Sequence, residues 1–506
     1  MQDNYEVVVD RVWRQGGTAL SIEFDNVNMR RRLMLKGMAI AGTLAAASPI
    51  RLLAGEQGLN RPTAVVIGAG IAGLSAAHDL RKAGFEVLIF EKERFTGGRM
   101  VELQMGPLYQ FTHAVGVFEA NREMFDLATE LGLADELRGV EALGIRDNGH
   151  GLYPSGLYFD IAQLQGIPGL SDETRRRLPL LQQDLDELRE SVDPCLLATG
   201  ASHDDETLTE YYERKLGKQA ADELIRYWID PVCEAWGWPP HMTSKVALLP
   251  WFAQQRVKFV YPKGGIGVLT RKLGSILPVL NETTVRYISP PDSSGRHTVH
   301  FLTPQHERRS IMPDIVVCTT EGKYLSRLVQ GMSDKQADFC QNIFFTKEAT
   351  ACYVLKQHAA PLRKDGASYI PTHPDPIKAR TSSWSVDPGQ PEANRPPHAR
   401  YYLARTEVPR WQNSDTPLSR YCLPMMQHFY PALYDESVIT DVVDYTCDDL
   451  IYMPVGYVRR MAGVLREQER DRRGLYFAGE YVSGAHTGAA CASGRSVARL
   501  IIKHWM

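Results

Sequence analysis

From residue 62 the chain alternates short apolar runs with amphipathic ones. "TAVVI" precedes "GAGIAG", then "LSAAHDLRKAG", then "FEVLIFEK", which predicts strand, turn, helix and strand. The strand runs are β-branched and apolar on both faces, as buried parallel strands require, and Gly84 marks the helix end. Together they make a βαβ unit of about 30 residues. Between residues 118 and 250 the period changes. "SDETRRRLPLLQQDLDELRESV" and "DETLTEYYERKLGKQAADELIRYWIDPV" carry apolar residues three and four apart behind the helix-start residues Ser171 and Asp204, predicting a helical insertion or cap. "VYPKGGIGVLTRKLGSIL" returns to a Gly-rich turn and helix, and "TVRYISPP", "HTVHFL" and "PDIVVCTT" read as strands. Residues 360–400, rich in Pro, Asp and Lys, predict an irregular surface excursion. The end, "RGLYFAGEYVSGAHTGAACASGRSVARLIIKHWM", reads as a strand, a Gly-rich turn and a final helix.

At 506 residues, 44% hydrophobic and 23% charged, the chain can bury a large core in two or more interlocked domains. A net charge of −3 supplies no basic field for a nucleic-acid partner. The eight cysteines form no Cys-x-x-Cys pair and no Cys/His cluster at metal-ligand spacing, so no metal is expected and the thiols read as small buried hydrophobes. Near the N-terminus, "MRRRLMLKGMAIAGTLAAAS" places Arg31 and Arg32 before an apolar run ending at Ala47. Segment 29–47 therefore resembles a twin-arginine export signal, with a periplasmic destination, cleavage after Ala47 and translation from Met29; a basic helix start on a cytoplasmic protein is the alternative. The run is too short to span a bilayer, which takes about 20 residues.

The turn "GAGIAG" suits a dinucleotide. Gly68 permits the tight turn, Gly70 lets backbone amides approach a pyrophosphate, and Gly73, beside Ala72, lets the helix pack on the strand. Glu91, ending the second strand, stands where a carboxylate accepts hydrogen bonds from an adenosine ribose.

Directly after Glu91 comes "KERFTGGRM", with Gly97, Gly98 and Arg99. Here the chain resembles the flavin amine oxidase superfamily, which includes monoamine oxidases, protoporphyrinogen oxidases and phytoene desaturases. The resemblance implies FAD as cofactor and a second FAD segment near the C-terminus, a place that "YFAGEYVSGAHTGAACASGR" fills. It implies that Arg99 lies along the FAD, that Gly479 and Glu480 face the ribityl chain, and that Thr487, Gly488 and Ala489 open a helix whose amino end meets the pyrimidine side of the flavin. Val285 matches a position whose backbone meets the adenine, and Thr319 another that lines the cofactor. "YPKGGIGVLTRKL", "TLTEYYERKLGKQAADELIRYWIDPV" and "VVDYTCDDLIYMPVGYVRRMAGVL" are similar to further family blocks, the last with Tyr445 where Trp is usual. The chain departs from the family at Glu93, where Arg is common, and at "FTHA", where many members read "FDxG"; His113 therefore stands near the expected flavin.

The implied fold is α/β, an FAD-binding Rossmann-like domain interleaved with a substrate domain of mixed sheet plus helical cap. Its segments run 61–117, 256–330 and 466–506 for FAD, and 118–255 and 331–465 for substrate, behind an extension at 1–60. The resemblance offers two candidate catalytic residues: His113, and Lys347, which matches a lysine that in amine-oxidising members holds a water beside flavin N5. The many aromatics, among them Tyr227, Trp228, Trp251 and Tyr402, suit a small apolar or aromatic-bearing substrate. O2 or another acceptor would take the electrons, and a homodimer stays open. The expected chemistry is hydride transfer from the C–N bond of an amine or amino-acid-like substrate. Protoporphyrinogen-oxidase-like or desaturase-like C–C dehydrogenation is the alternative. A GDP-dissociation-inhibitor-like binding protein shares the fold without flavin, but lacks the two FAD segments found here.

Overall fold

A computed structural model describes residues 8–11, 61–105, 108–111, 117–118, 121–141, 144–147, 150–155, 160–234, 237–254, 259–361, 365–369, 380–389, 396–470 and 474–506. The twin-arginine-type segment and His113 lie outside these residues.

The βαβ unit forms strand Thr63–Ile67, helix Ile71–Lys82 and strand Glu86–Phe90. These strands join a five-stranded sheet in the order Val279–Leu280, Glu86–Phe90, Thr63–Ile67, Ile315–Cys318, Leu475–Phe477. Every pairing in it is parallel, so all carboxyl ends open on one edge. The C-terminal helix, Thr487–Trp505, crosses the first helix so closely that a Cβ on Gly494 would lie 2.1 Å from the Ala72 carbonyl oxygen. Arg495 fastens the same contact. It is buried, and its guanidinium reaches Asp79 at 2.9 Å and Glu130 at 2.7 Å.

A mixed eight-stranded sheet forms the second body, with the long strands Phe344–Leu355 and Ile439–Tyr452 paired antiparallel. One of its faces packs Ala349, Ala351, Tyr353 and Tyr401 against helix Leu418–Phe429. Two expectations change here. Residues 360–400 are not wholly irregular, because Asp365–Tyr369 and Thr381–Asp387 are strands of this sheet. In "TSSWSVD" Thr381, Val386 and Asp387 are buried and the four residues between are half-buried, a strand that neighbouring prolines mask in sequence.

The second change concerns the helical cap, built from helices between Ile161 and Ala253. Ser171 caps its own helix as expected, accepting from the Thr174 amide. Asp204 does not: Thr207 and Glu210 form the capping box there. Asp204, fully buried, instead accepts from Ser244 Oγ at 2.6 Å and from the Gly456 and Arg459 amides at 3.0 and 2.9 Å. It thus caps helix Tyr457–Arg470 across some 250 residues of sequence. Among the described residues no helix is long and apolar enough to cross a membrane.

Candidate functional site

Four strand ends of the parallel sheet converge on one turn. Gly68, at φ +105°, takes a conformation that side-chain-bearing residues rarely adopt. A Cβ on Gly73 would lie 2.1 Å from the Gly68 carbonyl oxygen, so helix and turn touch backbone to backbone. Gly70 differs: a Cβ there would meet nothing within 4 Å, leaving open space at the helix N-terminus. Thr319, from the neighbouring strand end, donates its hydroxyl to the Ile67 carbonyl at 2.8 Å and so clamps the turn from behind. Ala72 is buried beneath it.

Glu91 closes the other side. Its buried carboxylate accepts from the Ala69 amide at 2.7 Å and the Glu93 amide at 2.8 Å. Burial raises its pKa despite both bonds. The Gly97 amide donates to the Ala69 carbonyl at 2.8 Å, laying the second glycine turn over the first, and Gly98 lies against Gly70. This stacking aims Arg99 at Glu480, an ion pair at 2.5 Å that ties the first glycine segment to the C-terminal one. Gly479, at φ +136°, makes the sharp turn that presents Glu480.

Thr487, Gly488 and Ala489 form the first turn of the C-terminal helix. Sequence reasoning missed the residue that sets this turn, His486. Its Nδ1 accepts from the Ala489 amide at 3.1 Å, so its Nε2 carries the proton and donates to the Pro194 carbonyl at 3.2 Å. Trp251 and Phe118 meet the ring edge-on. Burial pushes its pKa down from 6.5 to about 4. The unfolded chain therefore takes up a proton near pH 6.5 that the folded chain refuses until about pH 4. Stability contributed by the neutral ring is full above pH 6.5 and falls by about 1.4 kcal/mol per pH unit down to pH 4. Urea unfolding of His486→Gln is expected to show a shallower slope over that range, and a slope equal to wild type would remove His486 as the source.

Two further predicted residues, Val285 and Lys347, belong to other strands. Val285 is half-buried on a strand that leaves the Glu91 backbone, whose carbonyl accepts from the Thr283 amide at 2.8 Å. Lys347 is exposed and sits at a β-bulge, its Nζ 3.4 Å from Gln412 Oε1. Gln412 ends helix Val408–Gln412, which with Leu418–Phe429 packs on one face of the large sheet. The Lys347 side chain thus meets Gln412, and among the described residues no hydrogen bond joins it to the glycine turns or to Glu91. Among the described residues one group, His78, Asp79 and Glu130, has metal-ligand proximity, and Arg495 and Lys82 already neutralise its carboxylates.

The residues fit an FAD. A buried carboxylate stands at the ribose position, open space at Gly70 can admit a pyrophosphate, and a partnerless buried amide, Asn121 Nδ2, lies beside Gly488. Comparison with known proteins agrees. In sequence the chain is 39% identical over 88 residues to a phytoene desaturase of Cercospora nicotianae, covering 17% of this chain and 14% of that enzyme. It is 27% identical over 160 residues to protoporphyrinogen oxidase 2 of Arabidopsis thaliana, covering 32% and 30%. These matches span less than a third of each relative's length. In structure it resembles the cyclohexylamine oxidase of Brevibacterium oxydans at 16% identity and TM-score 0.60, covering 88% of this chain and 99% of that one. The family profile for flavin containing amine oxidoreductases matches residues 71–502. With most of its length matched and the glycine turns, Glu91 and the Arg99–Glu480 pair gathered at one sheet edge, the chain belongs to the flavin containing amine oxidoreductase family, and FAD is its cofactor.

Proposed function

We propose that this oxidoreductase dehydrogenates a carbon–carbon bond of an apolar substrate, one carbon giving up a hydride and its neighbour a proton that passes to solvent, with O2 or another acceptor taking the electrons. The observation that supports the choice is Lys347: it is exposed, and its ammonium lies 3.4 Å from Gln412 Oε1. The sequence relatives, a phytoene desaturase and a protoporphyrinogen oxidase, support the same choice.

FAD supplies the hydride acceptor when bound. The chain's own part is to hold and shield. Glu91 offers its carboxylate to ribose hydroxyls, the amides following Gly68 meet the pyrophosphate, and the amino end of the C-terminal helix favours negative charge placed before it. The cap carries Tyr227, Trp228 and Trp251, all buried, which exclude water from an apolar substrate.

Anaerobic bleaching of the flavin by a panel of porphyrinogens, polyenes and amines tests this reading. Bleaching is expected with a porphyrinogen or polyene and not with amines, and Lys347→Met is expected to bleach at a rate within about twofold of wild type, as for a surface substitution. Amine-driven bleaching that slows tenfold or more in Lys347→Met would overturn the proposal and restore amine oxidation.

A further inference from the structure

We propose that the side-chain amide of Asn121 donates a hydrogen bond to the flavin ring at the amino end of the C-terminal helix, and so raises the flavin's reduction potential. The inference rests on the reading that this helix end meets the flavin.

Asn121 precedes helix Arg122–Glu130, a position where asparagine ordinarily caps its own helix, yet it makes no side-chain cap bond. The side chain turns toward the C-terminal helix instead. A Cβ on Gly488 would fall 2.0 Å from its Cγ and 2.3 Å from its Nδ2, so the amide lies flat against the first turn. Asn121 is 1% exposed. Its Oδ1 accepts from the Cys195 thiol at 3.6 Å, which orients the amide, while Nδ2 has no partner. A buried amide donor left unpaired is costly. Its persistence here, beside a helix end of the same positive sign, points to an acceptor that arrives with a ligand.

The flavin ring offers carbonyl acceptors on its pyrimidine edge, and their negative charge grows on reduction. A donor aimed at them therefore binds the reduced ring more tightly than the oxidised one. His486 already occupies the Ala489 amide, so the Asn121 amide restores a donor to this helix end.

The test is the two-electron midpoint potential of the purified holoenzyme, measured by dye equilibration, with FAD affinity measured alongside. Asn121→Leu removes the donor at similar volume, and Asn121→Ala serves if leucine prevents folding. In either, the preference for reduced over oxidised FAD is expected to fall about tenfold, which lowers the potential by about 30 mV for a two-electron couple. Cys195→Ala keeps the donor and is expected to hold the wild-type potential. Variants at Asn121 that bind FAD with an unchanged potential would overturn the proposal while leaving the FAD site intact, and would assign the amide to a buried water. A wild-type protein without flavin would overturn the reading beneath it.

Discussion

Gly70→Ala and Gly73→Ala are expected to lose FAD for different reasons, and to differ in what happens to the empty protein. At position 73 the new Cβ would lie 2.1 Å from the Gly68 carbonyl oxygen and 2.7 Å from Thr319 Oγ1. A backbone carbonyl cannot give way cheaply, so the turn must open and the apoprotein is expected to lose about 1–3 kcal/mol of stability. At position 70 the backbone is extended, φ −74° and ψ 175°, and the new methyl would meet no protein atom within 4 Å. The Gly70→Ala apoprotein is therefore expected to melt with wild type. Both variants are expected to bind FAD about 100-fold more weakly, equivalent to about 2.7 kcal/mol, one because the amides have moved and the other because the methyl occupies the ligand's space. Thermal melts of stripped protein together with FAD titration check the pair. A Gly70→Ala protein that binds FAD as tightly as wild type would mean that the open space at this turn is not where the pyrophosphate rests.

Arg99→Met is the second large effect. Glu480 has a side chain 9% exposed, and Arg99 is 26% exposed, so the pair is mostly withdrawn from water. Removing one partner of a buried pair costs 3–5 kcal/mol in general; with Arg99 a quarter exposed, about 2 kcal/mol is expected after solvent screening. The pair joins the glycine turn at one end of the chain to the segment at the other, so its loss is also expected to speed FAD release. Arg99→Met with Glu480→Leu removes both charges and is expected to recover stability without recovering FAD affinity. Urea unfolding and FAD release rates separate the two effects. Recovery of both in the double variant would make the pair a structural clasp with no part in holding the cofactor.

The features legible in sequence were those written locally. The βαβ unit shows as a period change around glycines, and Glu91 stands at the end of a strand that its own β-branched run defines. The fold class follows from the family resemblance that these and the second glycine segment carry. Residues whose partners are remote in sequence were not legible. Asp204 reads as a helix start, yet its carboxylate is claimed by the Gly456 and Arg459 amides. Asn121 carries no such signal in sequence, because Gly488, which lies against it, comes from the other end of the fold. His486 and Arg495 carry no local signal, because the Pro194 carbonyl and the Asp79 and Glu130 carboxylates that define them come from other segments. Lys347 differs in another way: a position before a strand-like run does not say which sheet face the side chain takes, and at this bulge its Nζ meets Gln412.

The glycine turns at Gly68–Gly73 and Gly97–Gly98 and the segment at Gly479–Ala489 are expected to close on a single FAD. The most direct measurement of this is the identity and amount of nucleotide released when the purified protein is heat-denatured. FAD is expected at one molecule per chain in wild type, falling well below that in Arg99→Met. Release of a nicotinamide nucleotide, or of none, would contradict it.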